Sequence, residues 1–426
     1  MKIHTAHRGA ATLVVVMVLF FVMALVATYA NRNLVVEQRI AANYQEVALA
    51  TEMAIKGADT LLTLLNAPNV SAQCQVSSAG ANTLRERLLS IDDAGKVSPH
   101  VPDNRLGDGQ TDVVICDQPT KGDWACQCPL NDKPVGLPEA STRSSSARLR
   151  ISATLPGTGH LELTSLGCAQ GSQNCREAWD SGASDDSVAF YAQVKRKVRL
   201  VLVSALKMPP SSALVATGSL SLGGGMAAVN DDPSTGGIAI QHGLPATGAL
   251  DHVRGPGGSG KDFAILMNPA LNSLSAEAFF QRSFGMGMDD YRQQAAVDRL
   301  DCSGDCAQTL RERIGAGAQV LWHDGDLSLA SDATLGSKTR PIVLIVNGAL
   351  RIQGALRIHG LVFAAGNAEW LSGSMGASWL NGALLVAGNW VSSAGVQLRH
   401  DPQVLNRLKV AAGTFVRAPG GAWSEQ

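Results

Sequence analysis

Residues 10–31 read AATLVVVMVLFFVMALVATYAN, a run without one charged side chain. At about 1.5 Å per residue, a helix of roughly 21 such residues covers about 30 Å, the hydrocarbon thickness of a bilayer. A short basic leader precedes the run, with Lys2, His4, His7 and Arg8, and it ends in Arg8-Gly9. The segment after the run is not a loop. From Arg32 to Leu65 the apolar residues Leu34, Val35, Ile40, Tyr44, Val47, Ala54, Ile55, Ala58, Leu61, Leu62 and Leu65 are spaced mainly by three and four. Gly57 is the only glycine within that segment, and Pro68 gives the stop. The spacing predicts one helix over 10–67, transmembrane over 10–31 and amphipathic beyond.

A secretory signal needs an apolar core of about 7–15 residues and a small-x-small cleavage site. Thr28-Tyr29-Ala30 has the right residues for such a site, but the apolar run is too long and the helical pattern continues through it. An uncleaved signal anchor would account for the hydropathy alone. Arg8-Gly9 placed directly before the run points instead to a prepilin-type leader over residues 1–9. Cleavage between Gly9 and Ala10 would leave the helix in the mature chain.

The N-terminal run also carries Arg39-Ile40-Ala41-Ala42-Asn43 and Thr51-Glu52-Met53-Ala54. With Arg8-Gly9 and the Ala-rich apolar stretch, it resembles the N-terminus of PilX-type minor pilins of bacterial type IV pili. The resemblance implies a stalk helix laid on an antiparallel pilin-like sheet. It implies a single-pass inner-membrane protein, mostly periplasmic, that passes into an extracellular pilus. Its partners would be prepilin peptidase, the major pilin, other minor pilins and a tip-associated adhesin. Val14, Leu34, Ile40, Tyr44 and Val47 would then be the helix-packing residues. Major pilins carry a glutamate at the fifth mature position, where this chain has Val14. In pilins that buried carboxylate is thought to pair with the terminal amine of the subunit ahead, since a lone charge in lipid is costly. A subunit without it suits a place at or near the tip. Two other readings compete: the K-type tip pseudopilin of type II secretion, and a membrane-anchored surface-binding or carbohydrate-active β-helix protein.

At 426 residues the chain exceeds one ordinary domain, and its net charge of −1 supplies no basic field for nucleic acid. The fold class expected is α+β. Residues 68–210 read as a first globular part with strands at Val113 to Cys116, Ala147 to Ala153, His160 to Leu166 and Ser187 to Ala205. The last alternates Val188, Phe190, Ala192, Val194, Val198, Leu200 and Leu202 on one face. Beyond Pro210, over 211–410, short extended pieces recur between glycines, and LVFAAGNAEWLSG is echoed by LLVAGNWVSSAG. Successive turns of a parallel β-helix give such an echo, and a flat antiparallel sandwich is the alternative. Residues 241–318 read as a helical insertion, with helices at Ser275 to Phe284, Asp289 to Leu300 and Ala307 to Ile314, and 411–426 as a tail.

Eight cysteines form an even set beyond the apolar helix, which in an oxidising compartment means disulfides. Cys302 with Cys306, and Cys168 with Cys175, are expected as local bridges. Cys126-Gln127-Cys128 cannot easily bond within itself, so these two reach Cys74 and Cys116 in an order the sequence leaves open. No cofactor, metal site or catalytic group is expected. The chain lacks Gly-x-Ser-x-Gly, His-Glu-x-x-His and phosphate-loop patterns, and its acidic pairs at Asp324-Gly325-Asp326 and Asn230-Asp231-Asp232 lie in glycine turns.

Overall fold

The computed structural model describes residues 8–77, 83–99, 114–119, 123–129, 144–154, 157–169, 192–371, 378–392, 395–419 and 424–425. Helix α1 (Arg8–Asn66) is one unbroken element of 59 residues. Its distal third lies on an antiparallel seven-stranded sheet. That sheet runs in the order Gly413–Arg417, Gln193–Ser204, His160–Cys168, Ser144–Thr154, Val114–Pro119, Ala125–Gln127, with Ser424–Glu425 also paired to Gln193–Ser204. Ala58, Leu61, Leu64 and Leu65 of α1 share a core with Leu149, Leu161, Leu163, Val198, Leu200 and Phe415. This is the helix-on-sheet layer the sequence pattern predicts, with one correction. Within the segment read as a tail, Gly413–Arg417 is a strand that pairs along Gln193–Ser204 and puts Phe415 into that core. The first part of the chain closes only with its last residues. Residues 187–191 of the predicted long strand lie outside the described residues.

From Leu214 to His400 the described strands pair in parallel. One circuit passes Val320–Asp324, Leu327–Leu329 and Ala333–Leu335. The next passes Ile342–Asn347, Leu350–Ile352 and the start of Leu356–Ala364. In each circuit the middle strand joins a six-stranded sheet and its neighbours join a twelve-stranded one. Register runs straight down the stack, Leu327 to Leu350 to Ala368 to Trp390 to Leu220 to Ala246. These side chains point into one core with Leu344, Val346, Leu384 and Ile240 from the larger sheet. The antiparallel-sandwich alternative fails on this pairing.

Spatial order departs from chain order. The strands of 214–254 stack onto the last circuit, Leu384 on Leu214 and Gln397 on Ala227. The chain therefore enters mid-stack, builds outward to Ile265–Met267, and crosses back through helices Ala276–Phe284 and Met288–Arg292 to Val297–Leu300 at the other end. This corrects the expected insertion over 241–318. Ile240–His242, Ala246–Gly248, Val253–Arg254 and Ile265–Met267 are strands of the stack, and Val297–Leu300 is a strand rather than the second half of a helix. Glycine and proline at Pro256–Gly258 mark a tight corner there. The crossing helices pack on the outer face of the larger sheet, Phe280, Phe284 and Tyr291 against Trp322 and Phe363, in stacked, edge-to-face and tilted pairs 4.0–6.5 Å apart. Trp370 is buried, because alternation in Ala368–Trp370 turns the middle residue Glu369 outward.

The disulfides pair Cys74 with Cys128, Cys116 with Cys126, and Cys302 with Cys306. Cys116 and Cys126 face one another across adjacent antiparallel strands, which fixes the order that the sequence leaves open. Cys168 is also disulfide-bonded. Cys175 lies outside the described residues.

Candidate functional site

Helix α1 changes character near residue 50. Toward the N-terminus its described side chains are exposed, Val14 at 58% and Tyr44 at 73%, with Leu34, Ile40 and Val47 also open to solvent. Its most apolar 18-residue window has a mean hydropathy of 2.7 and is 0% buried, so this helix is long and apolar enough to cross a membrane. From Ala50 onward one face is seated, with Ala50, Met53, Ala54 and Ala58 buried. Gly9 and Ala10 lie within the first turns of the helix. The predicted packing residues are thus on one element, all on the unseated part, outside the core clusters of the described residues.

The seat depends on residues that periodicity does not show. A Cβ on Gly167 would stand 2.0 Å from the Ala50 carbonyl oxygen and 2.5 Å from the Ala54 nitrogen. A Cβ on Gly57 would stand 2.7 Å from Ala147 Cβ. Ser165 Oγ donates to the Ala54 carbonyl at 2.7 Å. A glycine inside a strand marks a close backbone approach, and that was the available signal for Gly167. At the side of the seat, Lys56 Nζ lies 4.5 Å over the Trp124 ring and donates to Gln118 Oε1 at 3.1 Å.

The end of α1 is held by two side chains. Asn66 Nδ2 donates to the Phe415 carbonyl at 2.9 Å, and the Phe415 N–H donates to Asn66 Oδ1 at 2.7 Å, so the amide pairs as a strand would. Arg85 Nε donates to the Leu65 carbonyl at 3.1 Å, and its Nη2 donates to the Gly413 carbonyl at 2.7 Å. Its guanidinium also lies 4.8 Å over the Phe415 ring. A helix C-terminus leaves carbonyls unsatisfied, and a cation there completes them. Burial pushes the Arg85 pKa down to about 10, with Glu86 opposing, so the group stays charged at neutral pH. Arg417 also pairs with Asp59 of the helix. Beside this clamp, a cavity of about 260 Å³ lined by Asn66, Arg85, Asp298, Arg313 and Gln319 separates the stalk base from the first strand of the stack. Burial raises the Asp298 pKa, opposed by Arg313 at 3.8 Å.

On the outer face of the six-stranded sheet the register aligns Ser328, Arg351, Glu369, Val391, Ser221 and Thr247. The row carries one carboxylate, and Arg351 pairs with it at 3.6 Å. Among the described residues no group of three metal-ligating side chains comes together.

Residues 8–60 match the family model described as PilX N-terminal. The stalk is PilX-like. The matched span contains the exposed apolar run and the first part of the seated face. No curated protein matches the chain. Among solved structures, the crystal structure of an ice binding protein from an Antarctic Biological Consortium is similar at 12% identity and a TM-score of 0.25, over 44% of this chain and 87% of that one. The competence-associated pilin ComZ from Thermus thermophilus is similar at 11% identity and a TM-score of 0.23, over 90% of this chain and 97% of that one.

Proposed function

We propose that this chain is a minor pilin that primes or caps a type IV pilus near the filament tip, with no catalytic role. A PilX-like helix exposed over its N-terminal part and seated from Ala50 onward carries the reading. The membrane would hold the exposed apolar half until the subunit is extracted. Leu34, Ile40, Tyr44 and Val47 would then pack against the helices of other pilins. The seated half ties that movement to the body through Gly167, Asn66 and Arg85. The bulk of the chain would stand in the periplasm before assembly and on the cell exterior after it.

We read the parallel stack as a β-helix, supported by straight columns of register and a three-strand circuit. The K-type alternative calls for a largely helical insertion. The strands of 214–267 and 320–400 favour the pilus reading over it. The carbohydrate-active alternative calls for clustered carboxylates on an exposed face, and the Arg351–Glu369 pair gives it no support.

Val14 supplies the test of position. Val14→Glu adds a carboxyl with no designated partner, costing about 2.5–3.5 kcal/mol on insertion scales if it is ionised at mid-bilayer. Surface pilus yield is expected to stay unchanged or fall with Val14→Glu, and to vanish when residues 10–67 are deleted. A marked gain from Val14→Glu would mean that the subunit docks behind another, and the tip placement would be given up.

A further inference from the structure

Strand Gly413–Arg417 joins the two parts of the molecule, and the stack delivers it. Val396–His400 is the last stack strand in chain order, and helix Pro402–Val410 follows it with Asp401 as N-cap. Leu405 and Leu408 of that helix are buried in one cluster with Leu361, Phe363 and Leu385 of the larger sheet. Only Ala411 and Ala412 then separate the helix from Gly413. A leash of two residues leaves the strand one place to begin, and the stack sets that place.

The strand ends the antiparallel sheet. Gly413 registers with Ser204 and Arg417 with Leu200, and the next strand inward is His160–Cys168. The Ala205 N–H donates to the Ala412 carbonyl and the Ala418 N–H to the Arg199 carbonyl, each at 2.9 Å, so the pairing is held at both ends. The entry admits no side chain. Gly413 has φ +128°, and a Cβ there would lie 2.0 Å from the Val203 carbonyl oxygen.

The same strand holds the end of the stalk. Phe415 is 1% exposed in the core with Leu61 and Leu65, its backbone pairs twice with the Asn66 amide, and Arg417 pairs with Asp59. Four described acceptors surround the Arg85 guanidinium. Two belong to α1, the Leu65 carbonyl and Asn66 Oδ1, and two to this segment, the Ala411 carbonyl at 3.4 Å and the Gly413 carbonyl at 2.7 Å. Without the segment, Gln193–Ser204 is an open edge, the place of Phe415 is empty, and a buried cation loses half of its acceptors. Each of these is unfavourable, the unpartnered buried charge most of all.

We infer that Gly413–Arg417 is a latch, which fastens the end of the stalk helix only after the parallel stack has formed. The stack places helix Pro402–Val410, that helix places the strand, and the strand completes the sheet and clamps α1. A chain whose stack is unfinished therefore carries a stalk that is loose over residues 59–66. This coupling holds whether the helix serves a filament or only an anchor. On the pilus reading, on which this one consequence rests, the latch withholds a firmly seated stalk from assembly until the body is folded.

Amide hydrogen exchange on the detergent-solubilised full-length chain tests the coupling. In the parent, residues 59–66 should exchange slowly. Phe415→Ala should speed their exchange at least tenfold and leave residues 342–364 unchanged. Leu405→Asp frees the delivering helix from the stack at a site outside the core that α1 shares, and it should speed exchange over 59–66 by the same factor. Deletion of 411–426 should do so too, and a synthetic peptide of residues 411–419 should restore slow exchange, which separates loss of the latch from general misfolding. The inference is overturned by fast exchange over 59–66 in the parent, or by slow exchange there in any of the three variants. It is also overturned if the peptide restores nothing, or if the deletion opens residues 342–364, for then the stack needs the latch. Pilus yield is no part of the readout, so failure of the pilus assignment would leave these outcomes as they stand.

Discussion

Gly167→Ala is expected to lift the stalk helix from its sheet and to lower the melting temperature of the detergent-solubilised protein by roughly 6–12 °C. The added methyl would meet the Ala50 carbonyl oxygen at 2.0 Å and the Ala54 nitrogen at 2.5 Å. Both are helix backbone, so no rotamer change relieves the clash, and the helix must move. Overpacking of a tight core costs about 1–3 kcal/mol, and a rigid backbone neighbour puts this site at the upper end. For a domain of about 150–250 residues each kcal/mol shifts the midpoint by roughly 2–4 °C. Movement would also stretch the bond from Ser165 to Ala54 and uncover Ala50 and Met53. Gly224→Ala is the control, since nothing lies within 4 Å of its Cβ position, and it should leave the midpoint in place. An unchanged midpoint for Gly167→Ala would mean that the helix is not seated as described.

Gly382→Ala is expected to open the parallel stack. Ile342, Gly360 and Gly382 occupy successive places in one column of the larger sheet. Gly382 has φ +138°, and its Cβ would lie 1.8 Å from the Gly360 carbonyl oxygen. Backbone strain of this kind costs about 1–3 kcal/mol, and the clash with a ladder carbonyl adds to it. The total should reach about 3–5 kcal/mol, among the larger single-residue effects. Limited proteolysis should then cut within 320–400 at a protease level that spares the parent chain. Resistance equal to the parent's would contradict the stacked register.

These two glycines show what was legible in the sequence and what was not. Spacing by three and four from Leu34 to Leu65 gives the helix, and alternation through Val198, Leu200 and Leu202 gives the strand Gln193–Ser204, because both depend on local periodicity. The echo of Ala-Gly-Asn at residues 365–367 and 387–389 gives the repeat, since each marks a corner stacked on the one before. The Asn389 N–H donates to Asn367 Oδ1 at 2.9 Å. Spatial order was not legible. Nothing local says that Leu214–Ala216 lies beside Ser378–Val386, or that Ile265–Met267 ends the stack, because parallel pairing carries no turn that fixes which strands meet. The same holds for Gly413–Arg417, whose partner is some 210 residues away in sequence by its register with Ser204 and Leu200. Along α1, the apolar residues Leu34, Ile40, Tyr44 and Val47 are legible from spacing. Arg85 and Asn66 were not, since a cap made across distant segments leaves no periodic trace.

The central claim is that the apolar helix stays in the mature protein as a filament stalk after removal of a nine-residue leader. N-terminal sequencing of membrane-extracted protein tests it most directly. The account predicts a mature chain that begins at Ala10, with the bond after Gly9 cut. A chain beginning at Asn31, or one that retains Met1, would contradict it.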